Sequence, residues 1–240
     1  MSSFVLIPGA WMGAWAWEPV TRGLREIGHD VHPVTLTGLA DGEADVSGVG
    51  LSTHVDDVVS VLEERDLHDA IVVGHLYGGI VAGQVADRAP ERVARTVFVE
   101  AFLPRDGRAM LDSISEEGRE EELRQIAENR GRWPAPTFDE VAHGNGMSAE
   151  QARWLSERFV GHPGRTISEP AALARPLAGQ RATYIACTMG GHWRSGEVAA
   201  MREEPTWAFR TLETGHWPMV SDPEGLVALL AEIGDEHGRS

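Results

Sequence analysis

The fold is decided by residues 71–83, which read Ile-Val-Val-Gly-His-Leu-Tyr-Gly-Gly-Ile-Val-Ala-Gly. An apolar, β-branched run stops at Gly74, and apolar residues at helical spacing begin at Gly78. The stretch therefore predicts a buried strand, then a sharp turn, then a helix.

The turn at the centre of this stretch reads Gly74-His75-Leu76-Tyr77-Gly78. It matches the frame of a nucleophile elbow, G-x-S-x-G, in which flanking glycines allow a turn too tight for side chains. The central residue, however, is Leu76, whose side chain has no lone pair and no acidic proton with which to attack a carbonyl. Taken alone, the frame also fits an ordinary tight turn between a strand and a helix. The segments on either side favour the elbow.

Strands and helices alternate on both sides of this turn. Short apolar runs predict strands, and apolar residues at intervals of three and four predict core-facing helices. His54 lies one residue before Val55 of one such apolar stripe, and we interpret it as a surface histidine. Because helices connect successive strands, the sheet should be parallel. The predicted strands are residues 4–7, 30–36, 70–73, 95–99, 182–187 and 206–212, and the predicted helices are residues 18–28, 51–65, 79–88, 116–129, 148–158 and 226–233.

The order of these elements resembles that of the α/β-hydrolase superfamily over nearly the whole chain. The resemblance is closest to the branch of small plant esterases and hydroxynitrile-lyase-like proteins. It implies an α/β fold with a mostly parallel, doubly wound sheet and a helical cap inserted between two strands. On this basis residues 1–104 and 171–240 form the core, and residues 105–170 form a cap that roofs the pocket and selects the substrate.

The resemblance also implies an oxyanion hole made of two backbone amides. By position, one is the amide of Ala10 or Trp11 in the loop after the first strand, and the other is the amide of Tyr77. Trp11 lies next to this hole, and we expect its side chain in the pocket. The other side chains expected in the pocket are His75, Trp133, Trp154 and Trp217.

The resemblance can be extended to the catalytic histidine and the catalytic acid of the family. The Gly-His-Trp-Pro sequence around His216 matches the loop that carries the catalytic histidine, so His216 is the triad member that survives. In the closest branch the loop after Cys187 carries an aspartate, but here it has no carboxylate, and His192 could occupy part of that space. Glu100 follows a buried strand at the edge where parallel sheets carry their sites. It is either an acid partner of His216 or a glutamate that hydrogen-bonds nearby amides.

These residues favour proton transfer over acylation. An imidazole with an ordinary pKa of ~6.5 exchanges protons near neutral pH, and two fixed amides can stabilise an enolate or alkoxide. Superfamily members that have lost the serine or the acid include lyases, decarboxylases, a peptide epimerase and hormone receptors.

We therefore expect a non-hydrolytic enzyme that uses His216 in secondary metabolism. Its reaction would be epimerisation, tautomerisation, elimination, cyclisation or decarboxylation, and its ligand a small apolar carbonyl compound or a modified peptide. There are two alternatives. One is an esterase whose serine was mutated to Leu76, and the other is a binding protein in which His216 only contacts the ligand.

The composition argues against several other classes of function. The formal net charge is −16 and the sequence contains no lysine, so the acidic surface should repel nucleic acid and anionic membranes. Cys187 is the only cysteine, which excludes an internal disulfide, and the sequence lacks metal-type Cys/His spacing. We interpret Cys187 as a small buried apolar residue. Since the sequence opens without a basic or long apolar leader, we expect a cytoplasmic protein, and we expect no cofactor and no metal.

Overall fold

A parallel β-sheet forms the centre of the computed structural model, which describes residues 1–143, 145–189 and 195–238. In chain order the strands are β1 (Ser3–Ile7), β2 (Asp30–Pro33), β3 (Ala70–His75), β4 (Val93–Val99), β5 (Arg132–Trp133), β6 (His162–Pro163), β7 (Ala182–Cys187) and β8 (Trp207–Leu212). Within the described residues, the main sheet has six parallel strands in the order β2-β1-β3-β4-β7-β8. Strands β5 and β6 pair separately and antiparallel.

Helices flank the main sheet and also form most of the segment between β4 and β7. They are α1 (Glu18–Glu26), α2 (Leu51–Glu64), α3 (Gly78–Arg88), α4 (Glu116–Glu128), α5 (Phe138–Ala142), α6 (Ala149–Ser156), α7 (Arg165–Ser168), α8 (Gly196–Met201), α9 (Pro218–Ser221) and α10 (Pro223–Gly238). Side chains alternate along β1, so Phe4 and Leu6 pack with α1 and α10 while Val5 and Ile7 pack with α2 and α3. The predicted α/β fold with a doubly wound parallel sheet is confirmed.

Most predicted element boundaries differ from the observed ones by at most two residues, and two elements differ by three or more. The second strand was expected to reach Leu36 but ends at Pro33, because the chain then turns and the Thr35 hydroxyl accepts a hydrogen bond from the Ala14 amide (2.8 Å). The last helix was expected from Leu226 but begins at Pro223. Proline suits the first turn of a helix, where its fixed φ is already helical and no amide proton is needed.

The segment between β4 and β7 contains α4 to α7 and the β5–β6 pair. It is tied to the rest of the molecule by Arg132, whose side chain is buried. The guanidinium donates hydrogen bonds of 2.6–3.0 Å to four backbone carbonyls, those of Gly38, Asp41, Ala44 and Gly161. This insertion is therefore held against the loop that follows β2.

None of the described helices is both long enough and apolar enough to cross a bilayer.

Candidate active site

The turn between β3 and α3 has the geometry of an elbow. Leu76 at its apex has a φ of +49°, a left-handed conformation that aliphatic residues rarely adopt. A side chain at Gly74 would collide with the Gly78 carbonyl, which is why the frame requires glycine. The Leu76 carbonyl accepts hydrogen bonds from the amides of Phe102 (3.0 Å) and Gly79 (3.2 Å). These contacts hold the strained apex in place.

The loop after β1 lies against this elbow. A Cβ at Gly9 would lie 3.0 Å from the Cβ of Leu76, so the loop and the apex are in van der Waals contact. The amide of Trp11 donates to Nδ1 of His162 (3.3 Å). By contrast, the amides of Ala10 and Tyr77 have no acceptor within the described residues. Of the two amides that the sequence left open, Ala10 is thus the one available to pair with Tyr77, and we call these two amides the anion cradle. Both residues are fully buried, and neither is among those that line the cavity described below.

His216 lies in the loop between β8 and α9, and its side chain is partly exposed. Its amide donates to Oδ1 of Asn145 (3.2 Å), and its carbonyl accepts from Nε2 of His75 (2.7 Å). The ring lies 4.9 Å from those of His75 and Trp217, measured between centroids. His75 was expected in the pocket, but it is fully buried and does not line the cavity. It anchors the backbone of the histidine loop instead.

Glu100 directly follows β4 and is fully buried, with a φ of +43°. Its Oε2 accepts a hydrogen bond from the amide of Cys187 (2.9 Å), so it holds the end of β7. A pairing of Glu100 with His216 stays a prediction. The predicted role of His192 lies outside the described residues. Cys187 is buried as expected, and burial, followed by the charges of Glu100 and Asp222, raises the pKa of its thiol.

A cavity of about 380 Å³ opens above the elbow. Leu76 and His216 both line it, and its other walls are mainly aromatic and aliphatic. The sequence-predicted residues Trp11, Trp133 and Trp217 lie in these walls, with the Trp11 and Trp133 rings 4.3 Å apart. Their companions in the wall include Phe102, Met110, Leu111, Ile114 and Pro136, and the carboxylates at the cavity are Glu122 and Glu140.

Trp154 was also expected in this pocket, but the structure places it elsewhere. Its ring packs edge-on against Trp15 at 5.3 Å, and the Arg158 guanidinium lies 4.7 Å above it. The orientation of α6 about its axis turns this residue toward the 3-10 turn at residues 14–17 and away from the cavity.

Two buried histidines behind the cradle were missed by the sequence analysis. His54, interpreted as a surface residue, is fully buried; its ring bonds the Tyr77 hydroxyl and the Thr37 carbonyl, both at 2.9 Å. A signal was present, since position 54 is three residues after Leu51 on the buried face of α2. His162 is also fully buried. It lies in the insertion between β4 and β7, and its hydrogen-bond partner Trp11 is 151 residues away in sequence.

Electrostatics keeps this buried cluster neutral. Burial lowers the pKa of His54, and it lowers the pKa of His162 well below the usual value, with smaller contributions from His54 and Arg132. Burial also raises the pKa of the Tyr77 phenol. Among the described residues, no group of three His, Cys, Asp or Glu side chains is arranged to hold a metal ion.

Comparisons with known proteins identify the family and the fold. A family model described as the alpha/beta hydrolase family matches residues 4–229. The carbendazim hydrolyzing esterase of Nocardioides sp. (strain SG-4G) is 30% identical over 249 residues, which cover 98% of this chain and 100% of that protein.

Two solved structures share the fold at lower identity. An extracellular alpha/beta-hydrolase from a Paenibacillus species has a TM-score of 0.86 and 22% identity, and covers 98% of this chain and 99% of that one. Tomato methylketone synthase I, complexed with 2-tridecanone, has a TM-score of 0.74 and 19% identity, and covers 98% of both chains. The resemblance inferred from the sequence, including its esterase branch, is confirmed.

Proposed function

The chain belongs to the alpha/beta hydrolase family, and we propose that it is a non-hydrolytic member that uses His216 to exchange protons with its ligand. The ligand would be a small apolar carbonyl compound or a modified peptide. In epimerisation, tautomerisation, elimination or cyclisation, a proton would leave the carbon beside the carbonyl for His216. In decarboxylation, CO₂ would leave that carbon first, and the enolate that remains would take up a proton from His216.

The observation that carries this proposal is the hydrocarbon at the apex of the elbow. Leu76 lines the cavity together with His216, and its side chain is only 6% exposed. A carbonyl bound above it meets no hydroxyl or thiol at the apex, and the Tyr77 hydroxyl is bonded to His54. Acylation at this position therefore has no nucleophile. Proton transfer by an imidazole, assisted by two amides, does not require one.

The remaining groups suit proton transfer. A positioned general base contributes typically ~10²–10⁴ in rate. The amides of Ala10 and Tyr77 are backbone donors whose direction is fixed before the ligand arrives, and the loss of one such donor typically costs ~10²–10³. Together they would stabilise the negative charge on the carbonyl oxygen while His216 holds the proton. The apolar walls of the cavity would strengthen both interactions by excluding water.

The comparisons support two different readings of the chemistry. Tomato methylketone synthase I has the same fold, and its name indicates an activity other than ester hydrolysis. The name of the Nocardioides relative favours a second candidate function, ester hydrolysis. Hydrolysis would require a nucleophile other than Leu76.

Deuterium exchange at the α-carbons of a ketone tests the proposal. The protein would be incubated with 4-phenyl-2-butanone in D₂O, and loss of the α-proton signals would be followed by NMR. We expect the rate for His216→Ala to fall at least ~10²-fold, because the general base is lost. His68→Ala is the matched control, since this histidine is exposed and pairs with Asp66.

Three results would contradict the proposal. An unchanged rate in His216→Ala would exclude the imidazole as the base. A covalent acyl adduct on the wild-type protein after treatment with p-nitrophenyl acetate, seen by intact-mass spectrometry, would favour the esterase. Ligand binding that needs His216 but gives no exchange would indicate a binding protein.

A further inference from the structure

The cap holds one residue of the cradle loop by three hydrogen bonds. Trp11 donates its amide to Nδ1 of His162 (3.3 Å) and its indole Nε1 to the Trp133 carbonyl (3.2 Å). Its carbonyl accepts from the amide of Val160 (3.0 Å). The φ of Trp11 is +65°, which residues other than glycine rarely adopt. Cap residues therefore hold the strained backbone next to Ala10.

The hydrogen bonds of His162 allow only one tautomer. Nδ1 accepts from the Trp11 amide, so the proton must be on Nε2, which lies 2.9 Å from the Thr166 hydroxyl. That hydroxyl in turn donates to the Pro163 carbonyl (2.7 Å). The ring is fully buried, and it stays neutral because burial lowers its pKa well below the usual value. A neutral ring in this orientation presents a permanent acceptor to Trp11.

His54 has the same pattern of hydrogen bonds and lies beside His162, with the two ring centroids 5.7 Å apart. Its Nε2 donates to the Thr37 carbonyl, and its Nδ1 accepts from the hydroxyl of Tyr77, both at 2.9 Å. Tyr77 supplies the second cradle amide. Its ring lies 4.6 Å from that of His162 and 5.7 Å from that of His54. The two histidines thus belong to one buried cluster, in which His162 bonds the loop that follows β1 and His54 bonds the side chain of Tyr77.

We infer that His162 is a positioning residue for the anion cradle, and that the cap sets the cradle geometry through it. By accepting the Trp11 amide, His162 satisfies that donor, while the preceding amide, that of Ala10, stays without an acceptor within the described residues and would serve the ligand together with the amide of Tyr77. The inference rests on the proposed function, because the cradle acts there. Without the acceptor, the Trp11 amide would be a buried donor lacking a partner, and its loop would rearrange.

The test uses two substitutions at this position in the full chain. His162→Phe keeps a ring of similar size but has no acceptor, and His162→Gln retains an oxygen that can accept from the Trp11 amide. The matched control is His29→Phe. His29 also accepts a backbone amide through Nδ1, that of Ser2 (3.2 Å), but it is not among the residues that line the cavity.

Two measurements are made on each variant. The first is backbone amide exchange in protein labelled with ¹⁵N-tryptophan, in which Trp207 serves as a reference because its amide bonds the Glu204 carbonyl at 3.1 Å. In His162→Phe we expect the Trp11 amide to exchange at least about tenfold faster, with Trp207 unchanged. The second is the ketone exchange assay, in which kcat should fall at least about tenfold while KM changes little, since a transition-state interaction is lost. His162→Gln should restore both values.

Several results would overturn this inference. One is a Trp11 amide in His162→Phe that exchanges at the wild-type rate. Another is faster Trp11 exchange with unchanged kcat, which would separate this hydrogen bond from the cradle. A third is equal loss of protection at Trp11 and Trp207 without rescue by glutamine, which would indicate a general structural role. If the wild type transfers no proton to the ketone, the proposed function fails, and the amide exchange alone decides whether His162 holds Trp11.

Discussion

Adding one methyl group at Gly9 should separate the cradle loop from the elbow. A Cβ at this position would lie 2.7 Å from Nδ1 of His75 and 3.0 Å from the Cβ of Leu76, whereas ordinary contacts begin at 3.4 Å. The differences are 3.4 − 2.7 = 0.7 Å and 3.4 − 3.0 = 0.4 Å. In Gly9→Ala the loop that carries the Ala10 amide must therefore move away from the Tyr77 amide by several tenths of an ångström.

The size of the effect on rate follows from this displacement. A misplacement of ~1 Å at a reacting centre can reduce the rate ~10²-fold, so a shift of about half that size should cost roughly tenfold. This corresponds to about 1.4 kcal/mol of transition-state stabilisation. Crowding of the loop should also lower the free energy of unfolding by roughly 1–3 kcal/mol.

The assay is the same α-proton exchange, combined with thermal unfolding to show that the variant is folded at the assay temperature. Gly179→Ala is the matched control, because a Cβ there meets nothing within 4 Å while the substitution is chemically identical. We expect the control to exchange at the wild-type rate. A folded Gly9→Ala protein with the wild-type rate would refute the argument that the Ala10 amide takes part.

Three other substitutions test separate features. Arg132→Met removes four hydrogen bonds to carbonyls and should lower the free energy of unfolding by ~3 kcal/mol or more in urea titrations; a change below ~1 kcal/mol would contradict this. Because burial lowers the pKa of His54, its unfolded state binds more protons, so stability should fall below about pH 6.5 by up to ~1.4 kcal/mol per pH unit. His54→Gln should make this dependence shallower, and an unchanged slope would argue against a neutral buried imidazole. Leu76→Ser should form an acyl adduct with p-nitrophenyl acetate that Leu76→Ala lacks; its absence by intact mass would show that a hydroxyl at the apex is not presented to the cavity.

The sheet and the elbow were predictable from the sequence because their signals are local. A β-branched run followed by glycines and then a helical period specifies β3, the turn and α3 without reference to the rest of the chain. His216 and Leu76 could be assigned to one cavity because parallel strands bring their carboxyl ends to the same edge of the sheet. In each case a local pattern was sufficient once the topology was known.

The failures concern residues whose surroundings are set by distant segments. Trp154 was assigned to the pocket by residue type, but the rotation of α6 about its axis depends on packing against Trp15, far away in the chain. His162 has no local signal, since its partners include Trp11, which is 151 residues away. His54 differs, because its helical spacing from Leu51 places it on the apolar face of α2. The prediction of a surface residue followed from the polarity of histidine and was wrong.

The distribution of backbone strain indicates what the elbow does without a nucleophile. Six non-glycine residues of the described chain have positive φ, and Asp66, Asp69 and Arg130 among them lie in exposed turns. The other three are Trp11, Leu76 and Glu100, which are buried and follow the ends of β1, β3 and β4.

Each of these buried conformations costs of order 1–3 kcal/mol, so together they use a substantial part of a typical stability of ~5–15 kcal/mol. At Leu76 this strain does not present a nucleophile, because the side chain has no reactive atom. The amides of Tyr77 and Ala10, which are the chain neighbours of Leu76 and Trp11, have no acceptor within the described residues. On the function proposed above, the strained turns would hold these backbone donors ready for an anion, and that role does not depend on the side chain at the apex.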